Sequence, residues 1–216
     1  MTPRSEPSAE RWHATWRGLG VAPPAGVYDA LCARYGEPHR AYHTLQHLAE
    51  CFDWYDGARQ LAERPFEVEL ALWFHDAIYE PRASDSEERS AAWAADALRS
   101  AGAAADVAAR VSELILATKH ASAESSRDQA LLLDVDLSIL GAPPERFREY
   151  EAQVRREYAF VPDEAFRKAR AAILARFAAR PRLYATDHFA TRLEAQARSN
   201  LRESIERLAA SREESR

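Results

Sequence analysis

The sequence predicts an all-α protein, and three observations carry that expectation. Glycine is scarce, 7 residues against 11 prolines in a chain of 216, while Ala, Leu, Arg and Glu abound. These residues lose least on entering a helix. Apolar positions recur at spacings of three and four along nearly every segment, and no stretch alternates as a strand requires. Prolines and capping residues stand where those segments begin. The expected architecture is one domain over residues 1–216, a bundle of about ten helices, with its core at 9–209 and a charged, frayed tail after Ala210.

Residues 9–19 and 25–35 read as short amphipathic helices, with Pro23 and Pro24 between them. Residues 42–61 form a longer one, its inward face set by Leu45, Leu48, Phe52 and Tyr55. Pro65 opens a helix predicted to run to about Tyr79. Its stretch Leu70, Ala71, Leu72, Trp73, Phe74 is apolar all round, which places it at the centre of the bundle. Asp85 or Ser86 caps a helix to Ser100 that carries acids in its first turn, as the helix dipole favours. Residues 105–119 follow with Val107, Val111, Leu114 and Ile115 inward, then a polar loop at 121–127. Residues 128–140 are apolar and helical, ending at Gly141. Pro143-Pro144 opens a charged helix to about Phe160, and helices at 163–180 and 186–210 complete the set.

Composition narrows the function. A balance of 29 Lys and Arg against 34 Asp and Glu leaves a net charge of −5, which argues against a coat for nucleic-acid polymers. No apolar run approaches the roughly 20 residues a membrane helix needs, so no membrane partner is expected. The polar start of the chain lacks a signal-peptide core, and two cysteines, Cys32 and Cys51, are too few for a disulfide framework or a cysteine-based zinc site. A reducing cytoplasm is the expected location. Positive charge concentrates between Arg146 and Arg182, with ten Arg or Lys against five Asp or Glu. Most of these belong on solvated helix faces, while one or two can face an anionic ligand.

Four of the seven histidines carry chemical interest: His43, His47, His75 and His120. His43 and His47 are four apart, one turn on a shared helical face. The dyad His75-Asp76 ends the most hydrophobic stretch, and Asp134 and Asp136 interrupt a second apolar run. Burial penalises such groups unless they are paired or bound to a metal. A divalent cation between those helices would account for both. Imidazole and carboxylate donors suit Mn, Mg, Ni, Co, Fe or Zn without selecting one.

These residues carry a resemblance. The order His47, His75-Asp76, Asp136 resembles the H…HD…D signature of the HD-domain superfamily. The stretches Tyr42-His43-Thr44-Leu45-Gln46-His47-Leu48, Trp73-Phe74-His75-Asp76-Ala77-Ile78-Tyr79, Glu87-Glu88-Arg89-Ser90-Ala91 and Asp134-Val135-Asp136-Leu137-Ser138-Ile139-Leu140-Gly141 look like its predicted metal-dependent phosphohydrolase group. So do Arg155-Arg156-Glu157-Tyr158 and Ala197-Arg198-Ser199-Asn200-Leu201, which extends the likeness over residues 9–209. The resemblance implies a single HD-type helical domain with a metal site between central helices. It implies one divalent ion on His47, His75, Asp76 and Asp136, with Asp134 as the alternative to Asp136.

It further implies a phosphohydrolase that cleaves a phosphate ester or anhydride, of a nucleotide or related small molecule, by attack of a water activated on the ion. His43 is then a proton donor to the leaving oxygen, or a hydrogen-bond partner of a carboxylate. Glu87, with Glu88 as the alternative, orients the water or acts as base, or else simply serves the helix dipole. Asp76 joins the catalytic set. Lys119, His120, Arg155 and Arg156 are candidates for phosphate binding, and since Arg155 and Arg156 are adjacent on one helix, only one of them is expected to face the cleft. Two other functions remain open on sequence: a nucleotide sensor without turnover, and a di-iron HD-type oxygenase for which the second pair of ligands is incomplete.

Overall fold

The computed structural model describes residues 7–119 and 126–210, and among these every regular element is helical. Ten α-helices form: α1 (Ala9–Gly18), α2 (Val27–Tyr35), α3 (Leu45–Ala58), α4 (Pro65–Phe74), α5 (Ser86–Ser100), α6 (Ala105–Ala117), α7 (Arg127–Asp136), α8 (Pro144–Glu157), α9 (Asp163–Ala178) and α10 (Asp187–Ala210). Short 3-10 turns occupy Arg59–Leu61 and Leu137–Gly141. No helix among the described residues is long and apolar enough to cross a membrane. The chain divides into two compact units, Met1–Asp136 and Leu137–Arg216. No linker separates them, because the last residue of α7 is followed directly by the 3-10 turn.

In the first unit α4 is the central element and packs against α1, α3, α5, α6 and α7. Val68, Leu70, Ala71, Leu72, Trp73 and Phe74 have no solvent exposure. Two acids, Glu67 and Glu69, are also buried on this helix, and each is neutralised. Arg110 of α6 grips Glu67 through two bonds of 2.6 and 2.7 Å, and Arg11 of α1 and Arg59 flank Glu69. Leaving either carboxylate unpaired in this core would cost several kcal/mol, on the order of 3–5. Trp12 meets Trp73 edge-on at 5.3 Å, and Phe52 meets Trp73 at 4.9 Å, so aromatic rings fill the space between α1, α3 and α4.

In the second unit α10 packs on α9 and on the 3-10 turn, and α8 packs on the same turn. Asn200 holds that turn by donating from Nδ2 to the carbonyls of Leu140 and Ala142, both at 2.8 Å. Gly141 is required by close approach. A Cβ there would stand 2.6 Å from Leu193 Cβ and 2.9 Å from its carbonyl oxygen. Buried Arg170 donates to Glu151, and Ser204 donates to the other oxygen of that carboxylate at 2.7 Å.

Of the boundaries that differ from the sequence expectation, three bear on the site. α3 begins at Leu45 rather than near Tyr42, because Thr44 is its N-cap and accepts from the Gln46 amide at 3.3 Å. His43 is therefore a turn residue and not one helical turn below His47. α4 stops at Phe74 rather than near Tyr79, which leaves His75 as its C-cap and Asp76 in the following turn. The apolar run at 128–140 is α-helical only to Asp136, then tightens to 3-10 geometry through Gly141. At the start of α5, Asp85 is the N-cap residue without a capping bond from its side chain, and Ser86 Oγ instead accepts from the Glu80 amide.

Candidate metal centre

His47 stands on the first turns of α3, His75 and Asp76 on the turn leaving α4, and Asp136 at the end of α7. The packing of α4 against α3 and α7 brings the three places together within the first unit. His75 Nε2 lies 3.0 Å from Asp76 Oδ2, 3.2 Å from His47 Nε2 and 3.7 Å from Asp136 Oδ1. His47 Nε2 lies 3.4 Å from each of the two carboxylate oxygens. Donor atoms about 2.1 Å from a shared ion stand roughly 3.0 Å apart at a right angle and roughly 3.4 Å apart at the tetrahedral angle. Four of the five observed spacings fall in that range, and the fifth, 3.7 Å between His75 and Asp136, exceeds it.

The tautomer of His75 is set by its neighbour. His75 Nδ1 is 2.8 Å from the Leu72 carbonyl, which can only accept, so Nδ1 carries the proton. In the neutral ring, Nε2 then presents a lone pair toward another imidazole nitrogen and two carboxylate oxygens. That lone pair and those of the two carboxylate oxygens repel unless a proton on His47 Nε2 or a metal ion lies among them. The imidazoles are sealed in, with side-chain exposures of 2% for His47 and 1% for His75, while Asp76 and Asp136 keep 19% and 17%. The carboxylate edge of the cluster is thus the side open to solvent.

A fifth donor was missed in the sequence. Cys51 Sγ is 3.7 Å from both ring nitrogens of His47, and His47, Cys51, His75 and Asp136 form a cluster whose donor atoms all lie within 4.8 Å of one another and which can hold a metal ion. The signal was its spacing. Cys51 is four residues beyond His47, which places it on the same face of α3.

The electrostatics follow from the geometry. Burial would lower the pKa of His47, but Cys51, Tyr42 and its bonds to Asp136 and Asp76 outweigh that and hold it well above the ordinary imidazole value. For His75 burial likewise opposes the charge, and the adjacent Asp76 wins, raising it. Burial would raise Asp76, yet His75, His43 and the bonds from both imidazoles hold it well below the carboxylate range. The Cys51 thiol is pushed up by burial, with His47 pulling the other way.

His43 lies against this cluster, its ring stacked on Tyr79 at 3.9 Å and edge-on to Tyr42 at 4.9 Å. Glu87 is half-buried in the first turn of α5. Lys119 bonds Glu88 and the Ser84 carbonyl, which ties the end of α6 to the loop before α5. His120 lies outside the described residues. Asp134 is buried on α7. Arg155 and Arg156 belong to the second unit. Arg155 donates to the carbonyls of Tyr158 and Val161 at 2.7 and 3.1 Å and lies over the Phe166 ring, while Arg156 is exposed. No protein-family model, no curated protein and no solved structure matches the chain.

Proposed function

We propose that the chain is a metal-dependent phosphohydrolase of the HD type, acting on a phosphate ester or anhydride of a nucleotide or a related small molecule. The observation that carries this reading is the convergence of His47, His75, Asp76 and Asp136 on one point. These four residues would hold one divalent ion, and Mn, Mg, Ni, Co, Fe and Zn all accept such donors. Their order along the chain, and the motifs around them, support the HD assignment. A divalent ion in such a place acidifies water and offsets the charge of a phosphoryl oxygen.

The chain's own residues supply the rest. The partly exposed carboxylates of Asp76 and Asp136 face the side from which a small phosphorylated substrate can enter. Asp76, held ionised by its imidazole neighbours, accepts a hydrogen bond from the attacking water and orients it. His43, stacked on Tyr79, would donate a proton to the leaving oxygen. Glu87, half-buried in the first turn of α5, would be a second acceptor for the water's proton. Lys119, drawn toward Glu88 and Ser84, brings positive charge to the start of α5.

The test is a phosphate-release screen over nucleotides and simple phosphate esters, with Mn, Mg, Ni and Co supplied in turn. Release that depends on the ion and disappears in Asp76→Ala is the expected result. A protein that binds the ion tightly yet releases phosphate from none of these compounds would be a binding protein rather than a hydrolase.

A further inference from the structure

Arg40 is the most deeply buried cation near the cluster, with a side-chain exposure of 0%. It stands in the segment between α2 and α3 and its guanidinium makes four bonds. Nε donates to Glu37 at 3.2 Å, Nη1 to the carbonyls of His43 at 3.1 Å and Asp76 at 2.6 Å, and Nη2 to the Ala77 carbonyl at 3.1 Å. The rings of Tyr35 and Tyr79 cover it, with centroids 5.3 and 5.6 Å from the guanidinium carbon.

Those acceptors sit where helices have just ended or not yet begun. α4 stops at Phe74, so the carbonyls of Asp76 and Ala77 have no place in a helical ladder, and His43 precedes α3. Buried carbonyls of this kind need a donor. One planar fork serves all three, and thereby fixes the turn carrying Asp76 against the segment leading to His43 and His47. Glu37, which it shares with Arg34, offsets part of the charge, and every bond Arg40 makes toward the cluster goes to a backbone carbonyl, so it acts there through geometry.

We propose that Arg40 is the positioning residue of the metal centre. It sets the backbone of Asp76 so that the carboxylate meets His47 and His75, and it sets His43 beside them. This rests on the metal-site reading above. A lysine could not replace it, because a single ammonium cannot span three carbonyls set around a plane.

The test is the affinity for Mn(II) alone, measured by calorimetry, in wild type, Arg40→Lys, Arg40→Ala and the control Arg110→Lys. Residues that orient ligands typically cost about 10–100-fold in metal affinity when changed. That loss is expected in both Arg40 variants and not in Arg110→Lys. Guanidinium ion at low millimolar concentration should restore affinity to Arg40→Ala, and the visible spectrum of bound Co(II) should differ between Arg40→Lys and wild type. Wild-type affinity in Arg40→Lys and Arg40→Ala overturns the proposal while leaving the metal site intact. Wild type that binds no ion overturns both. Loss of the fold in both Arg40 variants also overturns it, by assigning the residue to the fold rather than to the site.

Discussion

The Nε2 atoms of His47 and His75 lie 3.2 Å apart, and the second ring is locked by its Nδ1 proton on the Leu72 carbonyl. Both rings also lie within 3.7 Å of carboxylate oxygens of Asp76 and Asp136, so electron pairs crowd the space among them. Something positive belongs at its centre, and the acidity of the neighbouring groups depends on what that is.

The first prediction is the pH dependence of stability in the presence of a chelator. The raised pKa values of His47 and His75 stabilise the fold fully below the ordinary imidazole value of 6.5, and that contribution is lost as pH rises through their raised values. The lowered pKa of Asp76 contributes above the ordinary value of 3.8 and is lost as pH falls through its lowered value. The melting temperature should therefore fall on the alkaline side of about pH 6.5. Saturating Mn(II) should remove that alkaline fall, since the ion replaces the protons. Melting curves from pH 5 to 9, with and without Mn(II), make the comparison; parallel curves would contradict it.

The second prediction concerns the thiols. Cys51 is 1% exposed and Cys32 is part-exposed, so a maleimide or iodoacetamide should label Cys32 first. Cys51 should react only as the fold opens. Mass spectrometry of the native protein should show one fast site, at Cys32. Fast labelling of Cys51 would mean the cluster is more open than described.

Much of this was legible in the sequence. The ten helices follow from period, proline placement and scarce glycine, the polar groups stranded in apolar runs pointed to His75-Asp76 and to the pair Asp134 and Asp136, and the resemblance implied the set His47, His75, Asp76 and Asp136. What escaped was local. Periodicity cannot see that Thr44 caps α3, so His43 looked helical. Nor can it see that Arg40 takes carbonyls of the turn after α4, so that helix looked longer. Both errors fall at helix ends, where other hydrogen bonds replace the helical ladder, and His75 and Asp76 sit at one of them. Cys51 escaped because a cysteine count looks for several cysteines rather than one beside a histidine.

The third prediction separates roles within the site. His43 lies beside the four donors, not among them. His43→Gln should therefore bind Mn(II) with wild-type affinity, yet lower kcat on whichever phosphate ester the screen finds by about 100-fold, with a smaller change in KM. An equal loss in metal affinity would make His43 a ligand.

The fourth prediction concerns Arg155, whose guanidinium fastens the end of α8 to the segment before α9 through two carbonyls. Arg155→Ala should cost about 1–2 kcal/mol of stability, measured by urea unfolding. Unchanged stability would leave the side chain available for the anionic ligand that the sequence suggests.

The central claim is that one ion sits on His47, His75, Asp76 and Asp136, and elemental analysis tests it most directly. The protein is loaded with Mn, Co, Ni or Zn in turn, freed of excess ion, and assayed for metal per chain beside His75→Ala and Asp136→Asn. The account predicts close to one ion per chain in wild type with at least one of these metals, and close to none in either variant. Wild type that retains no ion, or variants that retain as much as wild type, would contradict it.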